Sequence, residues 1–270
     1  MQHESATLRP ISMTIPGGDA PYVPAPPPPP RPLEWRRARA LVRALIAEPD
    51  RTELVFELFD AMGGQGDEAT FARFTASGTG RALLAERPSL RDALSDAAPL
   101  AALPAGSLGR AYLSFAEARG FTPAGLLEAN ERGLGRVNAT LDADRLYFYE
   151  RVNVMHDLWH VVTGYDTDEA GESALLAFSH GQGLSGRAMK LLIATALLMG
   201  PKRGGLAFQR FVLQAWRRGR RAERLLHARW EALLALPLSE VRCALGVVPL
   251  AEAHPRGSFS GVLFQRGARV

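Results

Sequence analysis

From Leu33 onward the apolar residues follow a helical rhythm. Leu41, Leu45, Leu54, Phe56, Leu58 and Phe59 recur largely at three- and four-residue steps, and alternating β-branched runs bounded by turns are nearly absent. A side chain returns to the same face of an α-helix after three or four residues, so this spacing predicts an all-α fold. Breaks at Pro49, the MGGQGDE stretch from Met62 to Glu68, Pro88, Pro104, Pro123, Gly164, Pro201 and Pro237 cut the text into separate helices. No internal repeat is visible. With 270 residues, 47% of them hydrophobic, the chain is long enough for one sizeable core, and residues 33–270 are expected to form a single multi-helix domain.

Residues 1–32 are expected to be a flexible tail. From Pro16 to Pro32 the text PGGDAPYVPAPPPPPRP fixes backbone dihedrals and offers few apolar groups, which favours extended polyproline used as a spacer, or alternatively as a proline-recognition ligand. Cys243 is the single cysteine, so an internal disulfide or a thiolate metal cluster is excluded and any metal must rely on His, Asp or Glu. The N-terminus lacks the positive start and apolar run of a secretory signal, and with Glu4, Asp19 and only Arg9 it makes a poor organellar presequence, leaving the cytoplasm as the default location. The most apolar window, AMKLLIATALLMG from Ala188 to Gly200, is too short to cross a bilayer and contains Lys190; it is read as a buried helix. Net charge is +4 with pI near 9.6, and between Lys202 and Arg229 nine Lys and Arg face Glu223 alone. That density suits an anionic membrane surface or a solvated face. No recognition motif or series of stacking aromatics points to nucleic acid.

The segment GSLGRAYLSFAEARGFTP, Gly106 to Pro123, reads as a packing helix capped by Ser107 and ended by Gly120, with Leu108, Tyr112, Phe115 and Ala116 as its buried stripe. The chemistry concentrates further on, in HDLWHVVTGYDTDEAGE, His156 to Glu172, within a chain that has six histidines in all. A helix from about Asp144 to Thr163 with His156 set at zero places His160 near about 40° and Asp157 near about 100°, one contiguous patch. Arg145, Tyr149 and Asn153 fall on the same side, while Phe148, Met155, Leu158, Trp159 and Val162 fall opposite. Gly164 ends this helix, and Asp166, Thr167 or Asp168 caps the next, so the antiparallel return brings Glu172 back to the histidines. His156, Asp157, His160 and Glu172 would then enclose a divalent cation: zinc first, with iron, manganese or cobalt as alternatives. Glu169, Asp166 and Asp168 are read as caps and His180 as structural. The pattern is not the HExxH of a zincin, lacks the further ligands of an HD-type phosphohydrolase, and is accompanied by no phosphate loop, dinucleotide-binding glycine pattern or nucleophile elbow.

The spacing His156-Asp157-x-x-His160, eleven residues, then Glu172 resembles the signature of the coenzyme Q biosynthesis protein 4 family. GSLGRAYLSFAEARGFTP, RVNVMHDLWHVVTGYDTDEAGE and RLLHARWEALLALPLSEVRCALGV resemble successive blocks of that family, covering about Leu108 to Val247. The resemblance implies a mostly helical protein of ubiquinone synthesis on the inner face of the cell membrane. It also implies metal ligation by His156, Asp157, His160 and Glu172. The implied reaction is oxidative decarboxylation and hydroxylation at ring carbon one of a polyprenyl hydroxybenzoate. The implied partners are polyprenylated aromatic lipid, other ubiquinone-biosynthesis proteins and a second copy of the chain in a homo-oligomer. Nothing is carried onto the tail or the segment after His254. Within this reading Arg145, Tyr149 and Asn153 would position the substrate's head group, and the helices around Leu175–Phe178 and Leu191–Leu198 would form core or line a groove for the prenyl tail. Zinc cannot change oxidation state, so an oxidation needs an electron-rich ring or a redox-active metal. The rival readings are a non-catalytic lipid-binding scaffold and a metal-dependent hydrolase.

Overall fold

A computed structural model of the chain describes residues 22–48, 51–63, 68–120, 122–184, 186–199, 201–255 and 259. Among them there are fifteen α-helices, one 3-10 turn at Leu225–His227 and no strand, which makes the protein all-α as the periodicity predicts. The first six helices are α1 (Trp35–Ala47), α2 (Thr52–Ala61), α3 (Glu68–Ala76), α4 (Gly78–Glu86), α5 (Leu90–Ser95) and α6 (Ala97–Ala102). The middle of the chain contributes α7 (Leu108–Arg119), α8 (Pro123–Asn138), α9 (Ala143–Thr163), α10 (Glu169–Gly181), α11 (Arg187–Met199) and α12 (Pro201–Arg221). Short helices α13 (Trp230–Leu233), α14 (Leu238–Ala244) and α15 (Leu250–Ala253) close the fold.

The helix starts are written locally. Ser77, Ser89, Asp96, Ser107, Thr122, Asp142 and Asp168 each use a side-chain oxygen to accept an N–H from the first turn of α4 to α10 in order. Each such cap is worth about 1 kcal/mol. Gly120 and Gly164 end α7 and α9 in the left-handed region, at φ 64° and 78°. Ser107 and Gly120 therefore bound the helix the sequence predicts between them, and Leu108, Tyr112 and Ala116 are buried on it while Phe115 is half-buried.

The largest core cluster joins α7, α9, α10, α12 and the C-terminal helices around Trp159, Phe178, Phe208, Phe211 and Trp230. Helix α9 runs through it with Val154, Met155, Leu158, Trp159 and Val162 buried. Burying each large apolar side chain contributes about 1.5–3 kcal/mol, so this face anchors the helix that presents the histidines. Helix α10 packs chiefly on α12. Gly181 and Gly219 sit at their crossing: a Cβ on Gly219 would lie 2.1 Å from the Phe178 carbonyl oxygen, and one on Gly181 would lie 2.3 Å from that of Trp216.

Two expectations change at the surface. Residues 1–21 of the tail lie outside the described residues, but 22–32 run extended along the body. There the Tyr22 hydroxyl donates to Asp144 (2.6 Å), the Ala25 carbonyl accepts from Arg145 (3.0 Å), and Arg31 pairs with Asp60 (2.6 Å). Helix α11 forms over the apolar window, but it is not a buried helix. Leu191, Leu192, Ile193 and Leu197 are only half-buried and Leu198 is exposed, because α11 leans on α10, α12 and α2 along one side only.

Candidate metal centre

The hairpin between α9 and α10 does what its residues predict. The Gly164 N–H bonds back to the His160 carbonyl, and Asp168 caps α10 by accepting from the Gly171 N–H at 2.7 Å. Glu172, in the first turn of α10, thereby faces the last two turns of α9. Its Oε1 lies 3.1 Å from Nε2 of His160 and its Oε2 lies 3.7 Å from Nε2 of His156. One ligand atom from each of the three residues falls within 4.8 Å of the others. A tetrahedral centre with bonds of about 2.0–2.2 Å holds its ligand atoms about 3.4 Å apart, so the two short separations bracket what a divalent cation needs.

Protonation sharpens the fit. Nδ1 of His160 is 3.0 Å from the Tyr165 carbonyl oxygen, which can only accept, so Nδ1 carries a proton. In the neutral ring Nε2 is then a bare lone pair. That atom is buried, makes no hydrogen bond, and points at a carboxylate oxygen. Two lone pairs facing each other away from water are unfavourable unless a proton or a cation lies between them. Burial opposes charge on His156, yet the Asp157 carboxylate beside Nδ1 and Glu172 beside Nε2 outweigh it and raise the imidazole above its ordinary value. Burial likewise opposes charge on Glu172, while His160 and His156 outweigh it and lower the carboxyl, with Asp166 pushing weakly the other way.

The other candidates are sorted by their contacts. Asp157 stands apart from the converging group because it lies a helical step further round: its Oδ1 is 3.6 Å from Nδ1 of His156, the nitrogen turned away from Glu172. A carboxylate in that place orients a metal-bound histidine rather than completing the ligand set. Beneath it, the buried Tyr112 hydroxyl makes no hydrogen bond, and burial together with the Asp157 charge raises its pKa. Arg145, expected to position a head group, is 2% exposed and committed to Glu68 (2.7 Å) and Asp142 (2.5 Å), with its guanidinium over the Phe71 ring. Tyr149 packs in the aromatic cluster of Phe71, Phe74 and Phe148. Three and two turns of helix separate them from His156, and the wheel, which has no axial coordinate, could not show it. Asn153, one turn away, is half-exposed. Asp166 pairs with Arg119 at 2.5 Å, and His180 bonds the Leu184 carbonyl beyond the end of α10. Leu175 and Phe178 are core.

Two groups escaped the sequence reading. Phe115 stacks on the His160 ring, centroids 5.7 Å apart at 22°, and Arg119 lies 4.2 Å over the Phe115 ring. They close one side of the site from α7, and the signal for them was the aromatic–cation pair at four-residue spacing along the edge of that helix's buried stripe. The second group holds the turn. The Tyr165 hydroxyl and Nε2 of His254 are 2.9 Å apart, and Nδ1 of His254 is 3.0 Å from Oε1 of Gln214. Nδ1 must donate to that amide oxygen, so Nε2 accepts from the tyrosine and the ring is neutral. Burial, then the Arg218 charge, lowers the His254 pKa to about 4. Between pH about 6.5 and about 4 the unfolded chain binds a proton that the folded chain refuses, so stability falls as pH falls through that window. Urea titrations at pH 7.5 and pH 5 are expected to show an acid loss about 2 kcal/mol larger for the wild type than for His254→Gln. Equal losses would sink this assignment.

No helix among the described residues is long and apolar enough to cross a membrane. The described architecture matches, with a TM-score of 0.58 and 24% identity over 80% of this chain and 99% of the other, the crystal structure of a protein from Nostoc punctiforme described as a candidate ubiquinone biosynthesis protein. At that identity the likeness speaks for the fold. A ubiquinone biosynthesis protein COQ4 homolog of Danio rerio is 31% identical over 206 residues, 76% of this chain and 72% of that protein. The corresponding protein of Talaromyces stipitatus is 28% identical over 211 residues, 78% of this chain and 66% of that one. Residues 37–251 match the family described as coenzyme Q (ubiquinone) biosynthesis protein Coq4, a span that takes in α7, the α9–α10 hairpin and α12 together, and the chain belongs to that family.

Proposed function

We propose that the protein acts in ubiquinone biosynthesis as a metal-dependent enzyme, carrying out oxidative decarboxylation and hydroxylation at ring carbon one of a polyprenyl hydroxybenzoate, the carboxylate leaving as carbon dioxide and water supplying the hydroxyl oxygen while dioxygen takes the two electrons and two protons as hydrogen peroxide. The single observation that carries the metal part of this reading is the buried Nε2 of His160, 3.1 Å from the Glu172 carboxylate while Nδ1 is already satisfied by Tyr165. His156, His160 and Glu172 would hold the cation, with Asp157 orienting His156. A divalent cation there supplies a Lewis acid for a carboxylate or phenolate oxygen, and a redox-active one such as iron, manganese or cobalt would also exchange electrons, which zinc cannot.

The chain's own residues divide the remaining work. The Tyr165 carbonyl fixes the His160 tautomer, and Phe115 stacked on that ring keeps water from its face. His156 and Glu172 are half-exposed, so an aromatic head group would approach from their side. Arg145 is spent on Glu68 and Asp142 and is not part of this proposal; Asn153, half-exposed one helical turn before His156, would contact the head group. One observation favours a second reading, a non-catalytic lipid-binding scaffold: α10 packs mainly on α12 and less closely on α9, so a cation held by His156, His160 and Glu172 would pin the hairpin.

The test is metal analysis of the purified protein, followed by turnover of a short-chain prenyl hydroxybenzoate with zinc, iron, manganese or cobalt. Carbon dioxide release that disappears in His156→Ala is the expected result. Absence of turnover with every metal, together with loss of thermal stability on chelation, would replace the enzyme by the scaffold. A protein that binds none of the four metals would end both readings.

A further inference from the structure

Beneath the C-terminal helices the fold buries an arginine without a counter-charge. Arg218, on the inner side of α12, is 6% exposed. One of its nitrogens donates to the Val248 carbonyl, and the guanidinium lies 5.1 Å over the Tyr165 ring. Its Nε and Nη1 are buried and meet no acceptor. Val248 belongs to the wall of a cavity of about 310 Å³, which is lined also by Ser239, Arg242, Cys243, Val247 and Glu252. From that wall Arg242 donates to the Val162 carbonyl at 2.8 Å and the Val161 carbonyl at 3.0 Å, two of the acceptors that the end of α9 leaves open. Burial, then the nearby Arg218 charge, pulls the Arg242 guanidinium below its ordinary value, and no carboxylate offsets them. Among the described residues neither arginine forms an ion pair; Glu252, the one acid of the lining, is exposed and pairs with neither.

We infer that this cavity binds a small oxyanion, a phosphate group or a carboxylate, held between Arg218 and Arg242. Buried polar groups are hydrogen-bonded and buried charges are paired, and Arg218 as it stands is neither fully bonded nor paired. The guanidinium fork matches two oxygens of a phosphate or a carboxylate. Water would serve the unpaired N–H groups but would leave two like charges close together with nothing between them. The same two charges repel a cation. Val247 and Val248 add an apolar wall, so a carboxylate on an aromatic body fits the place as well as a bare phosphate does. The inference does not rest on the metal or the reaction proposed above, and its test reads neither.

Cys243 is exposed on this wall and is the chain's one cysteine, so its reactivity reports occupancy. The full chain is alkylated with iodoacetamide in sodium phosphate, sodium benzoate or sodium chloride at matched ionic strength. Phosphate or benzoate is expected to slow labelling severalfold relative to chloride, and the more effective of the two identifies the group that the cavity takes. Arg218→Met keeps an apolar stem in the core and should raise the half-protecting concentration about ten- to a hundredfold. Arg218→Lys restores a charge without the fork and should recover part of the protection. Arg217→Met removes the same charge from the exposed neighbouring position and should protect like the wild type. His160→Ala should do so too, which separates an oxyanion in this cavity from one on a metal. Circular dichroism checks that each variant is folded. Labelling that neither anion slows would overturn the inference, as would undiminished protection in Arg218→Met or an equal loss in Arg217→Met.

Discussion

Gly219→Ala is expected to destabilise the protein by about 2–4 kcal/mol and to lower its melting temperature by roughly 5–15 °C. The reason is steric and has no soft partner. An alanine Cβ at this position would lie 2.1 Å from the Phe178 carbonyl oxygen and 2.9 Å from its carbonyl carbon, and both are backbone atoms of a regular helix. Relief requires α10 and α12 to separate, which loosens the core cluster containing Phe178, Phe208 and Phe211. Alanine's better helix propensity returns at most about 1 kcal/mol. Gly181→Ala should behave similarly, with its Cβ 2.3 Å from the Trp216 carbonyl oxygen. Gly78→Ala, where nothing lies within 4 Å of the new atom, is the control and should be neutral or slightly stabilising. A melting curve for Gly219→Ala that overlays the wild type would show that the helices do not cross as closely as described. Because α10 carries Glu172, the same variant should also weaken metal uptake, whereas Gly78→Ala should not.

The second large effect is expected at His160. His160→Ala should abolish stoichiometric uptake of zinc, because it removes the one ligand atom that is buried, pre-oriented by Tyr165 and aimed at Glu172. Asp157→Asn should retain the site but weaken it about 10–100-fold, as expected for a group that orients a ligand without being one. Thermal shifts measure this without any assay of activity. At a free zinc concentration about a hundred times its dissociation constant, the wild type gains about 2.7 kcal/mol, a rise of roughly 5–10 °C. His160→Ala should gain nothing, and Asp157→Asn should need more zinc for the same rise. If Asp157→Asn and His160→Ala lose binding equally, Asp157 is a fourth ligand after all and rotates toward the cation when it binds.

Much of the α9–α10 hairpin is local, which is why it was legible. The Asp168 cap, the Gly164 terminus and the four-residue spacing of His156 and His160 each depend on residues within a turn or two. So does the return of Glu172, since a short turn between antiparallel helices leaves little choice of register. The partners of Arg145 and Tyr149 were not legible for the complementary reason. A wheel reports which side of α9 they share, but the groups that claim them come from far away in sequence: Glu68 for Arg145, and Phe71 with Phe74 for Tyr149. Helix α11 illustrates the same limit. Its apolar composition predicts a helix correctly, but burial depends on how many neighbours cover it, and only one side is covered.

The sequence by itself determined the helical class, the helix ends and the convergence of two histidines and a glutamate, because 3.6-residue periodicity and capping chemistry act over a few residues. Tertiary structure alone decided the rest. It set Asp157 on the far nitrogen of His156, stacked Phe115 on His160 from α7, fixed the His160 tautomer through a Tyr165 held by His254, and left a carboxylate-free face of α11 and α12 open to solvent. Each of these depends on which surfaces meet after the chain has turned back on itself, and elements distant in the chain become neighbours only when the core they share is buried.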